Sequence, residues 1–201
     1  MAIKPMLFNT EMVRAILSGQ KTCTRRVIKG RALDNLLVDH DGNCVGSFDY
    51  FGAEVEYPTI DDCSYQPGDI LYVRETWSTD ADGGYVYRTN YGTTKDDSFP
   101  PSMFKWRPSI HMPKEAARIF LRVTDVRVER LQEIDGAGIK AEGTSGKHGF
   151  SALWDSTIKP TDLDRYGWAA NPWVWVIEFE RISSERHAAR KEVALGGDGD
   201  A

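Results

Sequence analysis

The sequence predicts an α+β protein that is mainly β, with a small, partly open β-barrel of about five or six strands and short helices at its rim. Two observations lead to this class. Segments rich in β-branched and aromatic residues outnumber segments with helical spacing. Strand-like and helix-like segments also fail to alternate regularly along the chain, which disfavours a doubly wound parallel sheet.

The composition is that of a folded domain. Of 201 residues, 41% are hydrophobic and 27% are charged, so one packed core is expected and global disorder is not. The formal net charge of −5 argues against a general polyanion binder but leaves room for a local basic surface. Three cysteines without C-x-x-C spacing indicate neither a disulfide framework nor a zinc site, and no metal or cofactor is predicted.

The N-terminal elements follow from local pattern. "IKPMLFN" is short, apolar and contains proline, as in an opening strand. "TEMVRAILSG" places its apolar residues on one helical stripe, so a helix ending at Ser18 is predicted, with Thr10 as its cap and Gly19 just beyond its end. "TCTRRVI" follows as a strand, and residues 29 to 66 show weak periodicity.

The remaining elements are mostly strands. "ILYVRETW", "ARIFLRVTDVRVERL" and "NPWVWVIEFERI" have strand composition, and the last is apolar enough to be buried on both faces. "YVYR" predicts a hairpin strand within a long loop, whereas "GAGIKAEGTSG" and "FSALWDSTI" predict short helices. The end of the chain, residues 183 to 201, is polar and is predicted to be a flexible tail.

The motif "KTCTRR" carries the most distinctive polar pattern. In an extended strand Thr22, Thr24 and Arg26 share one face, a surface of two hydroxyls and a guanidinium that suits a phosphate or carbonyl group. Arg25 falls on the other face, and Lys21 joins Thr24 only if the turn after the helix reorients it. The alternative is a solvated edge strand with protective charges.

A second polar pattern lies in "LYVRETW", where Arg74 and Glu75 interrupt an apolar strand. Charges in such a strand are rarely buried without a partner. A structural ion pair and a ligand-binding cavity are both open interpretations.

A third pattern, "KWRPSIHMP", mixes aromatic and basic residues. This mixture suits stacking on a nucleobase and contact with a phosphate, and Trp77 is a further candidate platform. An isolated histidine is more often structural than catalytic. The candidate ligand-binding residues here are Trp106, Arg107, Ser109 and His111.

Several catalytic signatures are absent from the sequence. It contains no G-x-S-x-G, P-loop, H-E-x-x-H or zinc-deaminase motif, which disfavours metal-dependent chemistry and nucleoside triphosphate hydrolysis. Nothing local singles out Glu142, which reads as a surface residue of a short helix.

Five segments carry a family resemblance. They are "ILSGQKTCTRR" (16 to 26), "PGDILYVRETW" (67 to 77), "RIFLRVTDVRVERLQEI" (118 to 134), "KAEG" (140 to 143) and "WVWVIEFERI" (173 to 182). Together they resemble an ASCH domain of the PUA-like superfamily, in the type carried by phages and prophages. The most specific part is the helix followed by G-x-K-T-x-T-x-R.

The resemblance implies a site and an activity. PUA-like domains bind RNA, and a small bacterial ASCH branch hydrolyses the acetyl amide of acetylcytidine with a lysine, a threonine three residues later and a glutamate. These positions correspond to Lys21, Thr24 and Glu142, with Arg26 beside them. This chain departs from that branch in its greater length and in Arg25, where the branch commonly has a small apolar residue.

The resemblance also implies the organisation of the chain. We expect a single ASCH/PUA-like domain over residues 1–182, with insertions near 29–66 and 79–110, before the polar tail. The sequence lacks a long apolar segment, so no membrane partner is expected, and a cytoplasmic protein of a bacterial cell, of phage type, is predicted.

The expected function is binding of RNA or of a nucleoside or nucleotide in a basic cleft, with hydrolysis of an acylated nucleoside by Lys21, Thr24 and Glu142. Two alternatives remain open. One is a non-catalytic phage module that binds RNA or a protein partner. The other is a ribonuclease in which Lys21, Arg26 and His111 act on a phosphodiester.

Overall fold

The fold is described from a computed structural model, which covers residues 1–28, 63–91 and 103–183 in full and 36–38 and 44–47 as backbone. The predicted polar tail lies outside the described residues apart from its first position. So do most of the predicted insertion at 29–66 and part of that at 79–110.

The described elements begin and end as follows. The helices are α1 (Thr10–Leu17), α2 (Gly136–Ala141), α3 (Lys147–Thr157) and α4 (Leu163–Tyr166). The strands are β1 (Ile3–Leu7), β2 (Cys23–Val27), β3 (Leu36–Val38), β4 (Cys44–Ser47), β5 (Ile70–Arg74), β6 (Trp77–Thr79), β7 (Tyr85–Tyr87), β8 (Phe120–Arg130) and β9 (Trp173–Ile182).

A mixed five-stranded sheet is the largest element of structure, and it confirms the predicted α+β class. Its strand order is β1-β5-β8-β9-β2, with β1 parallel to β5, β5 antiparallel to β8 and β2 antiparallel to β9. Two small antiparallel sheets, β3-β4 and β6-β7, accompany it.

The expected barrel is not found among the described residues. Closing a sheet into a barrel requires its two outermost strands to pair with each other. Here β1 and β2 stand at opposite ends of the strand order. The described sheet is therefore open.

Helix α1 begins one residue differently from the prediction. Asn9, rather than Thr10, is its N-cap, because the Asn9 Oδ1 atom accepts a 2.8 Å hydrogen bond from the Met12 backbone N–H. Thr10 is the first helical residue. Gly19 follows the helix with φ of +76°, a conformation that favours glycine, so its predicted place is confirmed.

The chain divides into two compact units. The first contains Met1–Gly19, Gly68–Arg122 and Glu180–Ala201. Its described residues form two apolar clusters, one around Ile70, Phe120 and Ile182 and one around Trp77, Met112 and Ala116.

The second unit contains Gln20–Pro67 and Val123–Phe179. Its apolar core joins α2 and α3 to β2 and β9, and includes Cys23, Leu131, Ile134, Ile139, Phe150, Trp154, Val174 and Val176. Strand β9 contributes its buried run at 173–177, as its composition predicts. This core places the start of β2 against the end of α2.

Candidate functional site

Lys21 and Glu142 form a buried ion pair in the second unit. The Lys21 Nζ atom donates to Glu142 Oε2 at 2.6 Å and to the Glu142 backbone carbonyl at 3.0 Å. The two residues are 2% and 4% exposed. An isolated backbone bridge joins them, and Thr22 N–H donates to the Ala141 carbonyl at 2.8 Å. The pair is therefore held by main-chain contacts as well as by charge.

Helix α2 determines where Glu142 lies. The Asp135 carboxylate caps the helix by accepting from Gly138 N–H at 2.7 Å, and Glu142 is the C-cap. Gly143 then turns the chain with φ of +81°. The glycine in "KAEG" thus ends the helix with the Glu142 carboxylate facing Lys21.

Arg25 shares the Glu142 carboxylate with Lys21. Its Nη1 atom lies 3.4 Å from Glu142 Oε1, and its Nη2 atom donates to Glu129 Oε2 at 2.9 Å. Arg25 is 4% exposed. A Cβ atom on Gly138 would come within 3.2 Å of Arg25 Nη2, so the absence of a side chain at 138 gives the guanidinium its space.

Strand β8 continues this ionic arrangement toward solvent. Arg127 Nε donates to Glu129 Oε1 at 2.6 Å, and Arg127 Nη1 donates to Glu178 Oε1 at 2.5 Å and to Asp125 Oδ2 at 3.1 Å. Sequence analysis did not select these residues. A signal was present, because Asp125, Arg127 and Glu129 alternate in sign on one face of β8.

Burial sets the electrostatics around Lys21. Desolvation lowers the pKa of Lys21, Glu142 opposes this effect, and the nearby Arg26 charge adds to it. Burial, together with the Glu142 charge, raises the pKa of the Cys23 thiol to about 12. Cys23 is therefore a neutral neighbour of the pair at physiological pH.

Thr24 lies beside this pair without bonding to it. It is 1% exposed and pairs with Ile177 on β9. Within the described part of the chain, its hydroxyl makes no hydrogen bond to Lys21 or Glu142. Strand alternation accounts for this, because Lys21 and Arg25 both approach Glu142 while Thr24 belongs to the opposite parity.

The other two residues of the motif are more exposed. Thr22 is exposed, and Arg26 is partly exposed with its Nη1 atom 3.4 Å from the Arg25 carbonyl. The structure thus brings Lys21, Arg25 and Glu142 together and leaves Thr22, Thr24 and Arg26 adjacent to them along the strand.

A cavity of about 450 Å³ adjoins Arg25 in the second unit. It is lined by Thr22, Cys23, Arg25, Arg127, Glu129, Glu133, Asp135, Ala137, Gly138, Ala141 and Glu178. Four carboxylates face two guanidiniums, so this cavity is acidic, unlike the expected basic cleft. Neither Lys21 nor Glu142 lines it.

In the first unit, Glu75 is buried in an ion pair. It is 1% exposed and accepts from Arg118 Nε at 2.9 Å and from the Thr89 hydroxyl at 2.7 Å. Arg74 donates from Nε to the Met112 carbonyl at 3.0 Å and from Nη2 to the Ile110 carbonyl. The geometry of Glu75 matches the ion-pair interpretation of "LYVRETW".

Trp77 belongs to the apolar core of the first unit. It is 4% exposed, and the Arg107 guanidinium covers its ring with Cζ 4.8 Å from the ring centroid. Backbone hydrogen bonds of 2.8 and 3.2 Å also join the two residues. Ser109 and His111 lie in a short 3-10 turn, Ser109 partly buried and His111 exposed.

Trp106 is part of an aromatic cluster in the same unit. Its ring centroid lies 5.4 Å from that of Phe104 and 5.7 Å from that of Tyr91, and Tyr91 and Phe104 are 5.0 Å apart. The Arg88 Cζ atom is 5.4 Å from the Trp106 ring centroid. All three rings are partly exposed.

Two further observations concern metals and membranes. Across the described residues, no group of three His, Cys, Asp or Glu side chains is arranged to hold a metal ion. The helices in this part of the chain are all too short or too polar to span a membrane.

Comparisons with known proteins yield two solved structures of low similarity. No family model and no curated protein matches the sequence. The crystal structure of hypothetical protein PH0355 covers 90% of this chain and 100% of its own, at 13% identity and a TM-score of 0.42. Protein EF3133 from Enterococcus faecalis, of the DUF984 family model, covers 90% of this chain and 80% of its own, at 11% identity and a TM-score of 0.40. At these values the likeness supports no argument about family or activity.

Proposed function

We propose that this chain is an ASCH-domain protein of the PUA-like superfamily that binds RNA or a nucleoside or nucleotide and hydrolyses the amide of an acylated nucleoside. The observation that carries the proposal is the buried contact of 2.6 Å between Lys21 and Glu142. Lys21, Thr24 and Glu142 are its catalytic residues.

The Lys21–Glu142 contact supports the proposal because the two residues were chosen for a chemical reason before their distance was known. They are 121 positions apart in the chain. The family motif selects both, whereas composition and periodicity do not select Glu142. A surface glutamate chosen without such a reason would rarely lie buried against a lysine.

Lys21 serves as the base of the proposed reaction. A threonine hydroxyl is a weak nucleophile unless a base removes its proton. Only a neutral lysine can take that proton, and burial lowers the pKa of Lys21 in the required direction. Since no hydrogen bond joins Lys21 to Thr24 in the described structure, the proton passes through one water or a substrate hydroxyl.

The covalent steps balance as follows. Thr24 Oγ attacks the acyl carbonyl and its proton goes to Lys21, which forms a tetrahedral intermediate. The C–N bond then breaks, and the Lys21 proton goes to the leaving amine of the nucleoside. Water hydrolyses the resulting acyl ester of Thr24 to release the carboxylic acid and regenerate the hydroxyl.

Two further groups assist this chemistry. Glu142 holds the Lys21 ammonium in place between proton uptake and proton release. Arg26, the partly exposed guanidinium next along the strand, stabilises the negative oxygen of the tetrahedral intermediate.

Turnover of N4-acetylcytidine by the full chain tests the proposal, with cytidine release followed by chromatography. Thr24→Val keeps the side-chain shape and removes the nucleophile, so we expect activity to fall at least about a thousandfold. Lys21→Met should have a similar effect, whereas Lys140→Ala, an exposed lysine on α2, should leave turnover unchanged. Full activity in Thr24→Val, or no turnover of a panel of acylated nucleosides by the wild type, would refute it.

A second candidate function is binding of single-stranded RNA without catalysis. It is favoured by the aromatic cluster of Tyr91, Phe104 and Trp106 with the Arg88 guanidinium nearby. Partly exposed aromatic rings next to cations provide stacking surfaces for bases and charge for phosphates.

Fluorescence anisotropy with a labelled oligouridine tests this second candidate at two salt concentrations. We expect weaker binding at high salt, and about tenfold or greater loss of affinity in Trp106→Leu. Tyr85→Leu changes an exposed aromatic residue outside the cluster and should bind normally. No binding at either salt concentration would eliminate the candidate.

A further inference from the structure

Six side chains of alternating charge form a continuous series of contacts in the second unit, here called the charge chain. Its order is Lys21, Glu142, Arg25, Glu129, Arg127, Glu178. The successive N–O distances are 2.6, 3.4, 2.9, 2.6 and 2.5 Å. Side-chain exposure is 0% at Lys21 and 44% at Glu178, so the chain runs from a buried site to solvent.

We propose that Arg25 is a positioning residue for Lys21: it competes for the Glu142 carboxylate, and Glu129 sets the strength of that competition. The inference rests on the proposed function in assigning a purpose to Lys21, but it concerns the protonation of Lys21 and can be tested without a substrate.

The geometry at Glu142 shows the competition. One carboxylate oxygen accepts from Lys21 at 2.6 Å, and the other lies 3.4 Å from Arg25. Removing the Arg25 charge leaves Glu142 to Lys21 alone and also removes a cation that disfavours the ammonium form. Both effects raise the pKa of Lys21.

Glu129 acts in the opposite direction. It holds Arg25 at 2.9 Å, closer than Arg25 lies to Glu142 at 3.4 Å. Removing the Glu129 charge frees Arg25 to move toward Glu142, which weakens the hold of Glu142 on Lys21. It also removes an anion from the neighbourhood, so both effects lower the pKa of Lys21.

Other charged or titratable groups near Lys21 do not reproduce this pair of opposite effects. Arg26 lowers the pKa of Lys21. The pKa of Cys23, raised to about 12, keeps the thiol neutral below that pH. Neither of these groups changes when Arg25 or Glu129 is substituted.

The test is an NMR titration of the full chain with lysine labelled at 13Cε, in which loss of one signal in Lys21→Met assigns Lys21. We expect the pKa of Lys21 to rise by about 1 in Arg25→Gln and to fall by about 1 in Glu129→Gln. Arg25→Lys retains the charge and should show a smaller rise than Arg25→Gln. Glu133→Gln changes an exposed carboxylate of the same cavity outside the charge chain and should leave the pKa of Lys21 unchanged.

Opposite signs in the two variants would support the proposal. Shifts of the same sign, or no shift in either variant, would overturn it. If Arg25→Gln does not fold, Glu129→Gln decides alone, and a rise or no change there overturns the proposal. Absence of nucleoside turnover would refute the proposed function while leaving this titration result intact.

Discussion

Replacing Glu142 with glutamine removes the negative charge that faces the buried Lys21 ammonium and preserves the size of the side chain. Lys21 is fully buried at its side chain, so it has no access to water when its partner is lost. Breaking a buried ion pair by removing one partner costs about 3–5 kcal/mol, because the other charge stays desolvated.

The same magnitude follows from protonation. Keeping a lysine with an ordinary pKa of about 10.4 neutral at pH 7 costs about 4.6 kcal/mol, at about 1.36 kcal/mol for each of about 3.4 pH units. The Glu142 backbone carbonyl still accepts from Lys21 Nζ at 3.0 Å and offsets part of this cost. We therefore expect Glu142→Gln to lower the free energy of unfolding by about 3–4 kcal/mol at pH 7.

The sign of the pH dependence is also determined. The pKa of Lys21 is lowered in the folded chain, so the unfolded chain binds more protons between that pKa and about 10.4, and stability rises with pH in this window. In Glu142→Gln the folded pKa falls further, so most of the deficit relative to wild type should disappear as the pH approaches about 10.

Urea unfolding followed by tryptophan fluorescence measures this effect at pH 7 and pH 9.5, and the six tryptophans of the chain provide the signal. Glu133→Gln, an exposed carboxylate in the same unit, is the matched control and should change stability by less than about 0.5 kcal/mol. A loss below about 1 kcal/mol at pH 7 in Glu142→Gln, or equal losses at both pH values, would refute the reasoning.

Three further outcomes are expected. Gly138→Ala should destabilise by about 1–3 kcal/mol in thermal unfolding, because its Cβ would meet two side chains at 3.0 and 3.2 Å, while Gly136→Ala meets nothing within 4 Å and should not destabilise. Asn9→Ala should cost about 1 kcal/mol through loss of the helix cap, and an equal or larger cost in Thr10→Ala would contradict the assigned cap. With a pKa of about 12, Cys23 should resist iodoacetamide at pH 8 in the folded chain and react after denaturation, as read by peptide mass spectrometry.

Local pattern predicted much of the secondary structure. The helical stripe in "TEMVRAILSG" and the β composition of "ILYVRETW" correspond to α1 and β5. These predictions succeed because amphipathic period and side-chain shape are properties of neighbouring residues. The cap at Asn9 was missed because both Asn9 and Thr10 have suitable side chains, and only the helix geometry chooses between them.

The sheet topology was less predictable. An open sheet and a barrel contain the same strands and differ in whether β1 and β2 pair, which is a long-range property. The role of Arg25 was missed for a related reason. Strand alternation places it opposite Thr24, but its carboxylate partners lie on β8 and at the end of α2.

The sequence by itself determined the class of the fold, the parity of Lys21 and Thr24 along their strand, and, through a family motif, the choice of Glu142. Only the tertiary structure decided that Glu142 meets Lys21, that Arg25 shares this carboxylate, and that the series of charges continues along β8 to solvent. The physical reason is that periodicity specifies which face a side chain occupies. Strand order and helix packing specify which distant residue occupies the space opposite it.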